Sequence, residues 1–289
     1  MSLKNNKYNS YEIIIKPNRS WFYIDWQGLL HYQDLLFLLV RRDFVARYKQ
    51  TILGPLWFIL QPLMTTVIFT VVFDRVAKIS TDSLPPFLFY LCGLLIWDYF
   101  SRCITGTSTS FVSNANLFEK VYFPRIIVPL SNIISNLFAF AIQLATFLGF
   151  YFYFKFLTPA GIDIKPNIAL FALPLLLFQT ACFALGVGLW ISALTAKYRD
   201  FTFLMGFLTQ LWLYATPVIY PVSAIPARWR FIFAINPMSS IVDLFRCAFF
   251  GTIPLSYKYL FISIFVTITI LLSGVLIFNK VERTFVDTV

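Results

Sequence analysis

The sequence predicts an all-α polytopic membrane protein: six transmembrane helices preceded by an amphipathic interface helix, with short re-entrant gate helices between the fifth and sixth spans. Three observations carry this. Apolar residues make up 59% of the 289 positions, and charged residues only 12% against about 25% in an ordinary soluble protein. Nearly one residue in five is aromatic, with 34 Phe, 15 Tyr and 7 Trp. Finally, six apolar runs approach or exceed the roughly 20 residues a helix needs to cross hydrocarbon.

The first 30 residues carry Lys4, Lys7, Glu12, Lys16, Arg19 and Asp25. They hold no apolar core followed by a small-residue cleavage site, so no cleavable signal peptide is expected, and residues 1–30 read as an N-terminal cytoplasmic tail. The membrane domain then runs over 31–289. Its first element is the interface helix at 31–53, where Val40, Phe44, Tyr48 and Ile52 follow i+4 steps on one side. Arg42, Asp43, Arg47, Lys49 and Gln50 cluster opposite, with Arg41 the exception, a pattern suited to lying in the interface plane. Such a helix is either a basic anchor on headgroups or a surface for a cytosolic partner or an anionic lipid-linked substrate.

Spans are expected near 54–73, 87–108, 126–156, 168–194, 201–220 and 260–278. The first is free of charge and stops at Asp74 and Arg75. The second holds Asp98 and Arg102 one turn apart, where unpaired charge is costly; they form an intrahelical pair or turn, with Ser101, Thr105 and Ser108, toward a neighbouring helix or a transported molecule. The third has only Lys155 as a charge, and the fourth carries an internal proline, Pro174, which membrane helices tolerate. The fifth is expected to break near Pro217, and the last is the cleanest.

Between these spans, 111–125 (FVSNANLFEKVYFPR) is an apolar run spotted with Asn114, Asn116, Glu119 and Lys120. It is either an ordinary loop or a short helix that transmits force from a partner. The gate region, 216–251, contains Pro217, Pro221, Pro226 and Pro237 around two apolar stretches too short to span. Re-entrant half-helices fit, as does a surface-lying external loop anchored by Trp229 and Phe231.

An even number of spans puts both termini on one side. With the N-terminus in the cytoplasm, 14 Lys and Arg fall on that side and 8 on the other, with Arg102 inside a span. Dropping Lys4, Lys7, Lys16 and Arg19, far from any span, leaves 10 against 8, still favouring cytoplasmic termini. The net charge of +10 therefore reflects basic loops beside anionic headgroups, not a nucleic-acid partner.

The chemistry the sequence lacks is also informative. No glycine opens a G-x-x-x-x-G-K-[ST] phosphate loop, so any ATP is handled by another polypeptide. G-x-S-x-G and H-E-x-x-H are absent, His31 is the sole histidine, and the loop acids are dispersed, which argues against a hydrolase or metal-dependent transferase. Cys92, Cys103, Cys182 and Cys247 show no metal or redox spacing and read as small hydrophobes.

Several ordered segments carry a family resemblance: LLVRRDFVARYKQTILGPLWFILQPL (38–63), GLLIWDYF (93–100), NLFEKVYFPRIIVPLS (116–131), KYRD (197–200), TPVIYP (216–221) and INPMSSIVDLFR (235–246). Taken together they resemble the permease subunit of ABC-2 type polysaccharide exporters, the family that moves O-antigen, capsule and teichoic-acid polymers. Asp98 stands where that family pattern has a neutral polar residue such as Asn. The resemblance implies a homodimeric, non-catalytic permease of the bacterial inner (plasma) membrane that works with two copies of a separate ABC ATP-binding subunit. This chain would hold no cofactor or metal, ATP and Mg being bound by that partner. A lipid-linked glycan would pass through a channel between the two permeases, lined chiefly by the first and fifth spans.

The resemblance also assigns roles to residues. ATPase coupling falls to Asn116, Glu119, Lys120, Tyr122 and Arg125, and a cationic surface for the lipid diphosphate to Arg41, Arg42, Arg47 and Lys49. Sugar rings pack their C–H faces on aromatic rings, so Trp57, Phe58, Phe69 and Phe73 on the first span and Phe203, Phe207, Trp212, Tyr214 and Tyr220 on the fifth are candidates to line the path; a lipid-facing belt accounts for some of them equally well. Two rival readings are an ABC-2 permease for a lipid or drug and a membrane-embedded enzyme that modifies a glycan.

Overall fold

A computed structural model describes residues 26–49, 51–121, 123–159, 161, 164–252 and 257–285. Among them the regular structure is entirely helical. Two short helices, α1 (Trp26–His31) and α2 (Gln33–Tyr48), precede the first apolar helix, which begins as a 3-10 turn at Gly54–Leu56, continues as α3 (Trp57–Phe69) and ends in a π-helical turn at Thr70–Val76. Next come α4 (Pro86–Ser108), the short α5 (Ser110–Ser113) and α6 (Ala115–Lys120), α7 (Ile127–Leu157) and α8 (Leu173–Lys197). The chain finishes with α9 (Phe201–Tyr214), α10 (Arg230–Ile235), α11 (Pro237–Phe250) and α12 (Tyr257–Phe285).

Five stretches are long and apolar enough to cross a membrane: Gly54–Val76, Pro86–Ser108, Ile127–Leu157, Ile168–Lys197 and Lys258–Glu282. The expected fifth span, 201–220, is helical only through Tyr214. Its 14 residues rise about 21 Å at 1.5 Å each, short of the roughly 30 Å hydrocarbon thickness. The cause is local: Pro217 has no N–H and disfavours helical backbone at Thr216. Pro174 sits in the first turn of α8, not in its interior, so it removes no helical hydrogen bond and asks nothing of its neighbours.

α4 is the post of the bundle, buried over most of its length and packed between α7 and α8. Its seam with α7 is closed by amide groups: Asn132 Nδ2 donates to Cys103 O (3.0 Å) and Thr107 Oγ1 (3.3 Å), and Asn136 Nδ2 to Asn132 O (2.9 Å). Lipid offers helices no hydrophobic incentive to associate, so such bonds and close backbone approach do that work. The α8–α12 contact uses close approach, since a Cβ on Gly186 would lie 2.8 Å from the Leu271 backbone.

Contacts sort the loops into two ends. At one end, Leu39 of α2 packs with Phe123, Ile127 and Val128, Thr195 Oγ1 donates to Ser108 O (2.7 Å), and Arg125 reaches Glu282 O (3.1 Å) near the end of α12. At the other, Ser223 donates to Asp82 (2.8 Å), Tyr151 Oη to Phe249 O (2.9 Å), and Asn167 N to Ala248 O (3.0 Å). The helices that begin and finish the described chain therefore meet at the same end.

Gly186→Val should force α8 and α12 apart at a cost of about 1–3 kcal/mol and lower the melting temperature in detergent. Gly149→Ala is the control: a Cβ there meets nothing within 4 Å, so its melting temperature should hold or rise.

Candidate functional site

The gate region divides between its two sequence readings. α11 is buried around nearly its whole circumference, as a half-helix enclosed by protein must be. Asn236 starts it by accepting from Met238 N (3.2 Å), while its own Nδ2 donates to Thr216 Oγ1 (3.0 Å). Gly251 ends it at φ 70°, the left-handed cap. The preceding α10 lies on the surface, with Trp229 and Phe231 about half exposed, as the external-loop reading expects.

Arg246 of α11 locks this arrangement. Its Nη1 donates to Pro217 O (2.6 Å) and its Nη2 to Val218 O (2.5 Å) and Phe89 O (3.4 Å), and the guanidinium lies 3.6 Å from the centroid of the Phe89 ring. The turn after α9 leaves carbonyls without helical partners; a buried cation with a planar fork supplies them. Gly93 makes room, since a Cβ there would stand 2.6 Å from Nη2.

In the second span Asp98 and Arg102 do form the intrahelical pair, Nε to Oδ2 at 2.7 Å. The pair is not confined to its own helix. Gln143 Nε2 of α7 donates to the same Oδ2 (2.7 Å), Arg102 Nη2 donates to Gln61 Oε1 of α3 (3.3 Å), and Arg102 stands 5.7 Å from the centre of the Phe58 ring. Three helices are tied through one buried-edge charge pair.

At the opposite end the interface helix turns Val40 and Phe44 of its expected apolar face inward and adds Leu35, Leu36 and Leu39 to them. Leu39 and Val40 are buried and Phe44 stacks near Phe58 and Phe138, whereas Ile52 lies beyond the helix and is fully exposed. The reason is tertiary: Leu35, Leu36 and Leu39 pack against Phe123, Ile127 and Leu117, so the protein end of the helix determines its rotation. Arg41 and Lys49 are exposed. Arg42 is engaged, with Asp43 at 2.8 Å and Asn114 Oδ1 at 3.1 Å. The Arg47 side chain lies outside the described set.

Among the coupling candidates, Asn116 and Lys120 point outward from α6, and Leu117 and Phe118 pack inward. Arg125 sits 5.4 Å from the Phe118 ring centre while bonded to Glu282 O. The Glu119 side chain and Tyr122 lie outside the described residues.

The aromatic candidates separate into two sets. Trp57, Phe203, Phe207 and Tyr214 are exposed on the single chain, at 46%, 84%, 61% and 49%. Phe58 is buried, Phe69 and Phe73 lean on Tyr90, Trp212 stands edge-on to Phe100 and Phe183, and Tyr220 donates to Tyr214 O. These five are structural in the single chain. Gln61, Gln143 and Arg246 were not singled out by sequence, although a lone amide or guanidinium in an apolar run is itself a signal.

Residues 34–250 match the profile of a family described as ABC-2 type transporter. The O-antigen export system permease protein RfbA of Klebsiella pneumoniae is 29% identical over 256 residues, 88% of this chain and 94% of its own. RfbA of Myxococcus xanthus is 29% identical over 224 residues, 77% and 82% of the two chains. The capsule polysaccharide export inner-membrane protein CtrC of Neisseria meningitidis serogroup B is 22% identical over 261 residues, 89% and 95% of the two.

Arg246→Met should strand the Pro217 and Val218 carbonyls, each at about 1–3 kcal/mol, and lower the melting temperature sharply. Arg246→Lys, with a point charge in place of a fork, should fall between it and the wild type. Arg102→Met should cost up to about 3 kcal/mol by leaving a lone carboxylate, and most of the loss should return in the double variant Asp98→Asn/Arg102→Met, read by thermal melts in the same detergent.

Proposed function

The chain belongs to the ABC-2 type transporter family, and from that premise we propose that it is the permease subunit of an ATP-driven exporter that moves a lipid-linked, O-antigen-like polysaccharide out of the cytoplasm. The substrate class is supported by the names of the relatives, which are O-antigen and capsule polysaccharide export proteins. The observation on this molecule that carries it is the exposure of Trp57, Phe203, Phe207 and Tyr214 along α3 and α9. Rings displayed on two neighbouring helices give a polymer of sugars repeated, sequence-tolerant contacts without a tight site.

We read the chain as crossing the membrane six times, α9 and the turn after it making the fifth crossing. Meeting of α2, α6 and the last turns of α12 at one end supports an even number of crossings, and the excess of Lys and Arg supports the cytoplasm as that side. The inner membrane of a bacterium is the implied location. The little-buried α3 and the exposed face of α9 favour a second copy of the chain opposite them, with the channel between.

ATP and Mg belong in this reading to two copies of a separate ATP-binding subunit. α6 is suited to receive its push, since Asn116 and Lys120 are turned outward while Leu117 and Phe118 hold the helix to the bundle. Arg125 extends the connection to α12. The chain itself performs no bond chemistry.

Co-purification with a soluble ATPase, followed by ATPase turnover in nanodiscs with and without lipid-linked glycan, tests the whole reading. A stable complex whose turnover responds to glycan supports it; no partner and no ATPase activity overturn it in favour of a membrane enzyme. Arg125→Ala should leave the amount of folded complex unchanged and ATPase active while polymer export drops several-fold. Normal export from this variant would remove Arg125 from the coupling path.

A further inference from the structure

Between α3, α4 and α9 the bundle leaves a cavity of about 160 Å3, whose walls include Gln61, Thr65, Phe69, Trp97, Asp98 and Ser101. We propose that this cavity is a sugar-contacting station on the wall of the export path, built to hold one neutral, hydroxyl-rich ring of the passing chain. The proposal rests on the exporter reading and deepens it by naming where and how the glycan touches the protein.

The first step is electrostatic. Asp98 and Arg102 keep roughly a quarter of their side-chain surface open on the single chain, 29% and 24%. Hydrocarbon would make that open edge expensive, so charged groups at this depth face protein or a wet space. The cavity beside that edge is walled by α3, α4 and Leu213 of α9, and Trp57 on α3 and Phe203, Phe207 and Tyr214 on α9 are exposed. On the exporter reading the open edge of the ion pair and those rings border the same space.

The second step is the chemistry of the wall. Among the described residues both hydrogen bonds to Asp98 fall on Oδ2. A carboxylate offers about four lone-pair sites, so Oδ1 can accept from sugar hydroxyls. Gln61 spends its Oε1 on Arg102 and has an NH2 left to donate. Thr65 donates to Gln61 O (3.0 Å), which leaves its oxygen to accept. Ser101 adds a hydroxyl that can do either. Phe69 and Trp97 supply ring surface for the C–H face of a pyranose. Arg102 already neutralises Asp98, so the cavity favours a neutral polyol over a cation.

The third step is size. An apolar cavity of roughly 150 Å3 holds benzene, so the volume here is on the scale of one six-membered ring. Such a station engages sugars singly as they pass, and selects by the presence of hydroxyls and not by the identity of the polymer.

The test uses the assembled complex in membranes opened to both sides. Ser101→Cys and, as a second position on the α3 wall, Thr65→Cys are each exposed to a charged methanethiosulfonate reagent. The parent chain, with Cys92, Cys103, Cys182 and Cys247, sets the background. Membranes are compared from cells that synthesise the polymer and from cells blocked in its synthesis, both arrested with orthovanadate. Labelling above background without polymer, reduced several-fold with polymer, is the expected result. No labelling at either position in either state would mean a dry cavity, and equal labelling in both states a wet one that the glycan does not touch; each overturns the proposal. Export is scored separately in a deletion strain complemented with the unsubstituted chain. If that chain restores export while the cavity stays unprotected, only the station falls; if export never depends on the chain, the exporter reading falls first.

Discussion

A carbonyl or a charge surrounded by hydrocarbon has no water to turn to, and that single constraint dictates where this chain can stop being helical. Pro217 ends α9 early and frees carbonyls at the level of the gate region. They are tolerable only because Arg246, carried by a half-helix that is itself enclosed, brings its fork to Pro217 O and Val218 O. Asn236 adds a second tie to the same turn through Thr216. The break, the enclosed half-helix and the buried arginine are thus one device.

The same constraint accounts for the middle of the bundle. Asp98 and Arg102 receive hydrogen-bond partners in Gln143 from one neighbour and Gln61 from another, and in satisfying them the protein links α3, α4 and α7. Elsewhere the links are neutral, through Asn132 or through the bare backbone at Gly186. The result is a rigid centre around α4 with a much less buried α3 and α9 beside it. In the proposed exporter the packed side would serve as scaffold, and the open side would face a second copy and the cargo.

In the proposed ATP-driven assembly, movement would have a route through this scaffold. α6 is held between the interface helix and α12, by the Leu39 and Phe123 cluster on one side and by Arg125 and Phe118 on the other. A displacement of α6 must therefore be shared by elements at both extremes of the sequence. In an ATP-driven assembly this gives a partner that touches one short helix mechanical access to the whole subunit.

Composition and run length alone determined that the chain is a helical membrane protein, because the demand for about 20 apolar residues per crossing is written directly in sequence. The broken region around Pro217 was legible for a similar reason: proline chemistry is local. Period put Val40 and Phe44 on the inward side, where they lie, but it also put Ile52 there, beyond the end of the helix, and it overlooked Leu35, Leu36 and Leu39, whose packing is decided by Phe123 and Ile127 far along the chain. It also could not sort the aromatics, since Phe58 and Trp212 look the same in sequence as Phe203 and Phe207. Only tertiary structure decided which rings are core and which are displayed, and only it brought Gln61, Asp98 and Gln143 together. Polar contacts between helices depend on packing distance and rotation, and neither is encoded within any single span.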